Sequence, residues 1–146
     1  MPLFVVHEHH ATHLHFDLRL EMDGVLKSWA VPKGPSMNPA DRRLAIMVDD
    51  HDLEYATFEG TIPEGSYGAG RVLIWDTGDY EVLSGNLDAG RIEVAFHGKK
   101  LKGAFALFRM KGKDKEWLLV KKTEAGAERP SGAARSASFR QGRKPR

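Results

Sequence analysis

Residues 13–21 read His13-Leu14-His15-Phe16-Asp17-Leu18-Arg19-Leu20-Glu21, and apolar and polar side chains alternate along the whole stretch. Strict alternation is the pattern of a strand with one face against a core. Leu14, Phe16, Leu18 and Leu20 share the apolar face. The other face carries His13, His15, Asp17, Arg19 and Glu21. Same-face neighbours on a strand stand about 6.5–7 Å apart at the backbone, so His15 and Asp17 can converge on one ion. His9 lies just upstream, where the chain can fold back and add a third ligand. The expectation is a divalent-metal site with an anion-binding arginine beside it.

The chain around this stretch reads as a succession of short strands. Candidates are 3–6, 13–21, 25–32, 44–49, 54–59, 71–76, 79–84, 91–97, 104–110 and 116–122. Turn signals separate them: Asp23-Gly24, Lys33-Gly34-Pro35, Thr77-Gly78-Asp79, Gly98 and Lys102-Gly103. Met22-Asp23-Gly24 predicts a hairpin with Asp-Gly at its centre. Pro39–Arg43 predicts one helical turn, with Asn38 as its N-cap. No segment sustains a helical period. The fold class expected is all-β with minor helical turns, a compact closed or nearly closed β-barrel, with a sandwich as the alternative.

At 146 residues, with 41% hydrophobic and 29% charged residues, the chain fits one domain with its own core. The predicted barrel domain covers 1–123. A small, polar, basic tail over 124–146 is expected to be disordered, either adding phosphate affinity or serving as a plain solvated terminus. The net charge of +2 does not by itself demand a nucleic-acid partner. Absence of cysteine excludes disulfides, thiolate catalysis and Cys-ligated metals. With no secretory signal pattern and no apolar run of spanning length, the cytoplasm is the expected compartment, with no membrane partner.

His9, His15 and Asp17 form the first chemical group; spacing alone leaves metal binding and a histidine-rich start arising by chance or as purification residue equally open. Arg19, Lys33, Arg43 and His51 form the second, the cations suited to phosphate and His51 to proton donation near neutral pH. Only Arg19 has a positional argument, since it shares the face of His15 and Asp17. Val48-Asp49-Asp50-His51 offers a carboxylate to orient an imidazole, or simply a polar strand end entering a turn. Pro63–Gly70 is glycine-rich without matching a P-loop, and reads as a tight barrel corner. Trp29, Trp75 and Trp117 lie in apolar strands and read as core.

Taken together, these motifs resemble a known family. The run His9-x5-His15-Phe-Asp17-Leu-Arg19-Leu-Glu21 is followed by Asp23-Gly24-Val-Leu-Lys-Ser-Trp29-Ala-Val-Pro-Lys33-Gly34-Pro35, Arg43-Leu-Ala, Asp50-His51 and Tyr55. Phe58-Glu59-Gly60-x-Ile62-Pro63-Glu64-Gly65-x-Tyr67-Gly68-Ala69-Gly70 completes the set. The series resembles the 3′-phosphoesterase domain of bacterial end-joining DNA ligase D, a domain that also occurs alone. The likeness covers about residues 4–122. It implies a Mn²⁺-dependent β-barrel that resects 3′ ends at a primer–template. A terminal ribonucleoside would be removed in a 2′-hydroxyl-dependent diesterase step, and a 3′-phosphate hydrolysed to a 3′-hydroxyl. Carried over by position, the resemblance implies His9, His15 and Asp17 as metal ligands. It puts Arg19, Lys33, Arg43 and His51 around the scissile phosphate, with Tyr55 assisting and Asp49 in support.

Two departures from the family pattern are visible. Position 49, usually Glu, is Asp and one methylene shorter. The chain also begins almost at its first strand, without the charged segment that aids ribonucleoside removal in ligase-fused relatives, so the phosphatase step is expected ahead of the diesterase one. No ligase-type Lys-x-Asp-Gly motif is present, and a separate ligase or polymerase is the expected partner of a monomer. Two other function classes compete. One is a non-haem iron oxygenase using His15-x-Asp17 with His51 or His97. The other is a DNA-end binding module without catalysis.

Overall fold

The computed structural model describes residues 1–123, so the tail reading lies outside the described residues. Nine strands follow in order: β1 (Leu3–His10), β2 (Leu14–Met22), β3 (Val25–Val31), β4 (Arg43–His51), β5 (Gly60–Ile62), β6 (Gly70–Asn86), β7 (Arg91–His97), β8 (Lys102–Arg109) and β9 (Glu116–Lys121). Every pairing is antiparallel. The sheet order is β1-β2-β3-β4-β9-β8-β7-β6, and β6 pairs back with β1. Eight strands therefore close into a barrel, with β5 attached to β6. Closure removes the free edges that would template pairing with another chain.

The apolar face of β2 turns inward as its alternation requires. Leu18 and Leu20 are buried with Phe4, Val6, Trp29, Val31, Phe96, Phe105, Leu107 and Trp117 in one interior cluster. Trp29 and Trp117 meet edge to face with centroids 5.8 Å apart. Trp75 is only partly buried; it packs on the cluster and on Phe16, with the Lys100 ammonium 4.6 Å from its ring centroid. Since large side chains fill the interior, any polar site built on β2 has to lie on the barrel's outer face.

The Asp23-Gly24 hairpin forms as read: Met22 pairs with Val25, and φ is 56° at Asp23 and 81° at Gly24. Two positive φ values in a two-residue loop are the type I′ turn that matches strand twist. Other readings are corrected. Residues 71–76 and 79–84 are one bent strand, β6, and Thr77-Gly78-Asp79 runs inside it. A Cβ at Gly78 would collide with the His97 carbonyl, so this glycine serves close strand approach and not a turn. Residues 54–59 are not a strand. Leu53–Thr57 forms a 3₁₀ turn. It lays Ala56 and Tyr55 on Val5, Leu26, Leu3 and Ile74, a second small cluster outside the barrel. Near Pro39 the chain makes only a single turn, with Asn38 Oδ1 accepting from the Ala40 N–H.

One buried carboxylate secures the β7–β8 connection. Asp76, 4% exposed, accepts the backbone N–H groups of Lys99, Lys100 and Leu101 at 2.9, 3.0 and 2.8 Å. Gly98 has no Cβ because Asp76 and the Phe4 ring occupy that space. Truncation by Asp76→Ala strands three donors, two of them in a half-buried setting. The expected loss is about 3 kcal/mol in urea unfolding, and Asp76→Asn, which keeps one acceptor, should lose less.

Candidate active site

The polar face of β2 is itself buried at mid-strand: Asp17 is 6% exposed and Arg19 3%. Register explains how the other groups reach it. On β1, His9 stands opposite His15 and His7 opposite Asp17. On β3, Ala30 and Ser28 stand opposite Asp17 and Arg19. On β4, Val48 pairs with Ser28 and His51 with Leu26, with a register shift between them. Regular alternation would have put Asp50 on this face. The bulge replaces it with His51 and leaves Asp49 and Asp50 exposed. The 3₁₀ turn covers one side, and the Pro63–Gly70 loop the other. Between them lies a pocket of about 590 Å³ whose lining includes His9, His15, Asp17, Arg19, His51 and Tyr55.

Asp17 sits between the two imidazoles. Its Oδ2 is 3.5 Å from His9 Nδ1, and its Oδ1 is 3.2 Å from His15 Nε2. The three potential ligand atoms lie within 4.8 Å of one another. Each ring presents one nitrogen to Asp17 and gives the other to a backbone carbonyl. His9 Nε2 donates to Gly68 O at 2.9 Å and Ala69 O at 3.2 Å, and His15 Nδ1 donates to His13 O at 3.2 Å. Such outer hydrogen bonds fix tautomer and ring orientation in metal-ligating histidines, so that the facing nitrogens offer lone pairs whenever the rings are neutral. The donor set of two imidazoles and a carboxylate therefore fits a borderline divalent cation.

Burial disfavours ionisation of Asp17, but the His15 hydrogen bond and the charges of Arg19, His15 and His9 outweigh it and hold the carboxyl below its usual range. The same hydrogen bond raises His15, against its own burial.

Arg19 is the hub. Its Nε donates to His7 Nδ1 at 3.1 Å, and Nη1 to Ser28 Oγ at 2.9 Å and His51 Nδ1 at 3.1 Å. Nη2 donates to Asp17 Oδ2 at 3.4 Å. Four of the five guanidinium N–H bonds are thus committed to protein. An arginine can only donate, so His51 accepts at Nδ1 and, when neutral, carries its proton on Nε2. Burial pushes His51 down and the Arg19 charge adds to this, against the Asp49 carbonyl and the Asp17 and Asp49 carboxylates. Tyr55 stacks on Phe58 at 5.0 Å, lies 4.7 Å from the His51 ring, and covers the Arg19 guanidinium at 4.9 Å.

The residues read from sequence thus divide. His9, His15, Asp17, Arg19, His51 and Tyr55 meet in one pocket. Lys33 is exposed and lies outside the pocket lining, as do Asp49 and Arg43. Arg43 reaches Asp41 at 3.7 Å, and Asp49 acts on His51 only through its charge and carbonyl. His97 lies 3.5 Å from Glu81, well apart from the metal-type cluster. Sequence reading missed His7, Ser28 and the carbonyls of Gly68 and Ala69. His7 was legible in principle, as β1 alternates Val6-His7-Glu8-His9 into the same cluster. The carbonyls leave no side-chain signal. Gly70 does: a Cβ there would collide with the His10 carbonyl, and φ is 122°.

Comparison with known proteins gives the family. The chain matches the family described as the DNA ligase D 3′-phosphoesterase domain over residues 7–109. The multifunctional non-homologous end joining protein LigD of Pseudomonas aeruginosa is 49% identical over 129 residues, which cover 85% of this chain and 15% of that protein. The multifunctional non-homologous end joining DNA repair protein LigD of Mycobacterium tuberculosis is 51% identical over 117 residues, covering 79% and 15%. A LigD of Mycolicibacterium smegmatis is 46% identical over 136 residues, covering 87% and 18%. The chain spans less than a fifth of the length of these relatives.

Fully buried His7 donates from Nε2 to Phe58 O at 3.1 Å and accepts from Arg19, an arrangement that requires the neutral ring. Burial, then the Arg19 charge, lower it from 6.5 to about 4. The unfolded chain therefore binds the His7 proton more tightly. The stability from neutral His7 is complete above about pH 6.5 and is lost as pH falls toward about 4. Denaturant unfolding in metal-free buffer should weaken across that window. His7→Gln, which can reproduce both hydrogen bonds without titrating, should flatten the dependence relative to wild type.

Proposed function

This chain belongs to the DNA ligase D 3′-phosphoesterase family, and we propose that it hydrolyses 3′-terminal phosphates on nucleic-acid ends to 3′-hydroxyls. The observation that carries the reading is the paired orientation of His9 and His15. Each is tethered to a backbone carbonyl and faces one carboxylate, beside a buried guanidinium. A Mn²⁺ ion held by His9, His15 and Asp17 would supply Lewis-acid polarisation of a phosphoryl oxygen.

The chain's own residues supply the rest. Arg19 places a full positive charge against the pocket, where it can stabilise charge building on equatorial phosphate oxygens. With most of its N–H groups committed, it acts chiefly through that charge and through the rigidity it confers on Asp17 and His51. His51, with its proton on Nε2 while the ring is neutral, is the candidate hydrogen-bond donor that stabilises charge on the leaving oxygen. Tyr55 keeps the His51 ring and the guanidinium in place by packing. Lys33, Arg43 and Asp49 lie outside the pocket lining, and on this reading they act on the nucleic-acid flank or not at all. A 2′-hydroxyl-dependent removal of terminal ribonucleosides, which would leave the 3′-phosphate, is a second activity proposed for the same pocket. The relatives' names place them in non-homologous end joining, and the natural substrate proposed here is a primer–template end in such repair.

With a 5′-labelled primer ending in a 3′-phosphate, conversion to a 3′-hydroxyl should occur with Mn²⁺ and stop with chelator. His15→Ala should abolish it while circular dichroism stays that of a folded barrel; retained activity in that variant would overturn the ligand assignment. Arg19→Lys keeps the charge but loses the fork, and a drop in turnover of about 100-fold is expected in the same gel assay.

A further inference from the structure

Tyr67 is 87% exposed, the most exposed large hydrophobic side chain among the described residues, and it stands on the pocket's rim. It has no ring partner and no side-chain hydrogen bond among those residues. An exposed tyrosine alone means little. Its setting is more specific. Residues 63–70 form two successive turns, closed by Ser66 N–H to Pro63 O and Ala69 N–H to Ser66 O at 3.2 Å each. Gly68, with φ of 77°, occupies the third position of the second turn, which fits the glycine a type II turn requires there. Tyr67 therefore takes the outer corner of a turn whose next two carbonyls hold His9. Backbone alone does that work, so the ring is not needed for it.

The pocket is also larger than a phosphate group needs and lies in the range that accepts a nucleotide-sized ligand. Beyond the polar cluster much of its lining is apolar, including Ala11, Ala30, Val48, Ile62 and Ala69, with Thr12 and Ser66 among them. Phosphate chemistry does not account for that surface; a sugar and a base do. Aromatic rings at the edge of a nucleic-acid site act as stacking platforms that tolerate any base, since every base has a π-face.

We infer that Tyr67 is a positioning residue that stacks on the nucleobase of the 3′-terminal nucleotide, so that the pocket recognises a terminal nucleoside and not a bare phosphate ester. The inference rests on the 3′-end reading above. It makes the enzyme sequence-tolerant but base-dependent, and ties the stacked base to the metal-ligand histidine through two residues of backbone.

Steady-state hydrolysis of a primer–template 3′-phosphate by the full chain with Mn²⁺ tests it. Tyr67→Ala should raise KM about tenfold with little change in kcat, and Tyr67→Phe should restore KM. On an end whose terminal nucleotide is abasic, wild type should already show the raised KM, and Tyr67→Ala should add nothing further. An unchanged KM in Tyr67→Ala, or an equal rise on natural and abasic ends, overturns the inference while leaving the phosphatase reading intact. Absence of hydrolysis by wild type is instead the failure of that reading. Fluorescence of a terminal 2-aminopurine, with binding followed by anisotropy of a 5′ label, then decides Tyr67 independently. Quenching by wild type that is lost in Tyr67→Ala supports stacking, and no quenching refutes it.

Discussion

Arg19 carries a full positive charge on the outer wall of a β-barrel with only 3% of its surface exposed. Burying such a group is costly unless its donors are all answered and an opposite charge lies close. The answers come from three neighbouring strands: His7 from β1, Ser28 from β3 and His51 from β4, with Asp17 two residues away on its own strand. A 3₁₀ turn then roofs the guanidinium with the Tyr55 ring. Much of the site's geometry follows from this requirement. Holding Arg19 also holds His51 in one tautomer, orients Asp17, and keeps His7 neutral.

Closed barrels suit this arrangement because the interior is already spoken for. Sixteen buried residues fill it, most of them large, and the outward face of β1–β4 is free to be specialised. That face needed its own cover to lower the local dielectric, and the small cluster of Val5, Leu26 and Ala56 under the 3₁₀ turn provides it. The glycine-rich loop covers the opposite side and contributes carbonyls to His9. Metal-type ligands and the cationic hub therefore share one shielded surface pocket, where charge interactions are stronger than in open water.

Inside that pocket two kinds of histidine are distinguished by their hydrogen bonds. His9 and His15 donate to carbonyls and face a carboxylate, so their free nitrogens suit a cation. His7 and His51 accept from Arg19, so their free lone pairs are spent, and burial together with the Arg19 charge lowers their basicity. What the second nitrogen meets thus decides whether the free one offers a lone pair or an N–H.

How much of this was legible in the sequence depends on the range of the interaction. The alternation of 13–21 determined that β2 has an apolar and a polar face and that His15, Asp17 and Arg19 share the latter; the Asp23-Gly24 pair determined the hairpin after it. These are local properties, set by side-chain period and by φ preferences of single residues. Pairing register decided that His9, and not His51 or His97, stands beside His15 and Asp17. A bulge decided that His51 and not Asp50 joins the face, and an irregular turn, not a strand, supplies Tyr55. Lys33, Arg43 and Asp49 lie near the motif in sequence but outside the pocket's lining. Strand register, bulges and the path of a covering loop depend on contacts between residues tens of positions apart, and on backbone carbonyls every residue possesses, so only the closed tertiary structure could decide them.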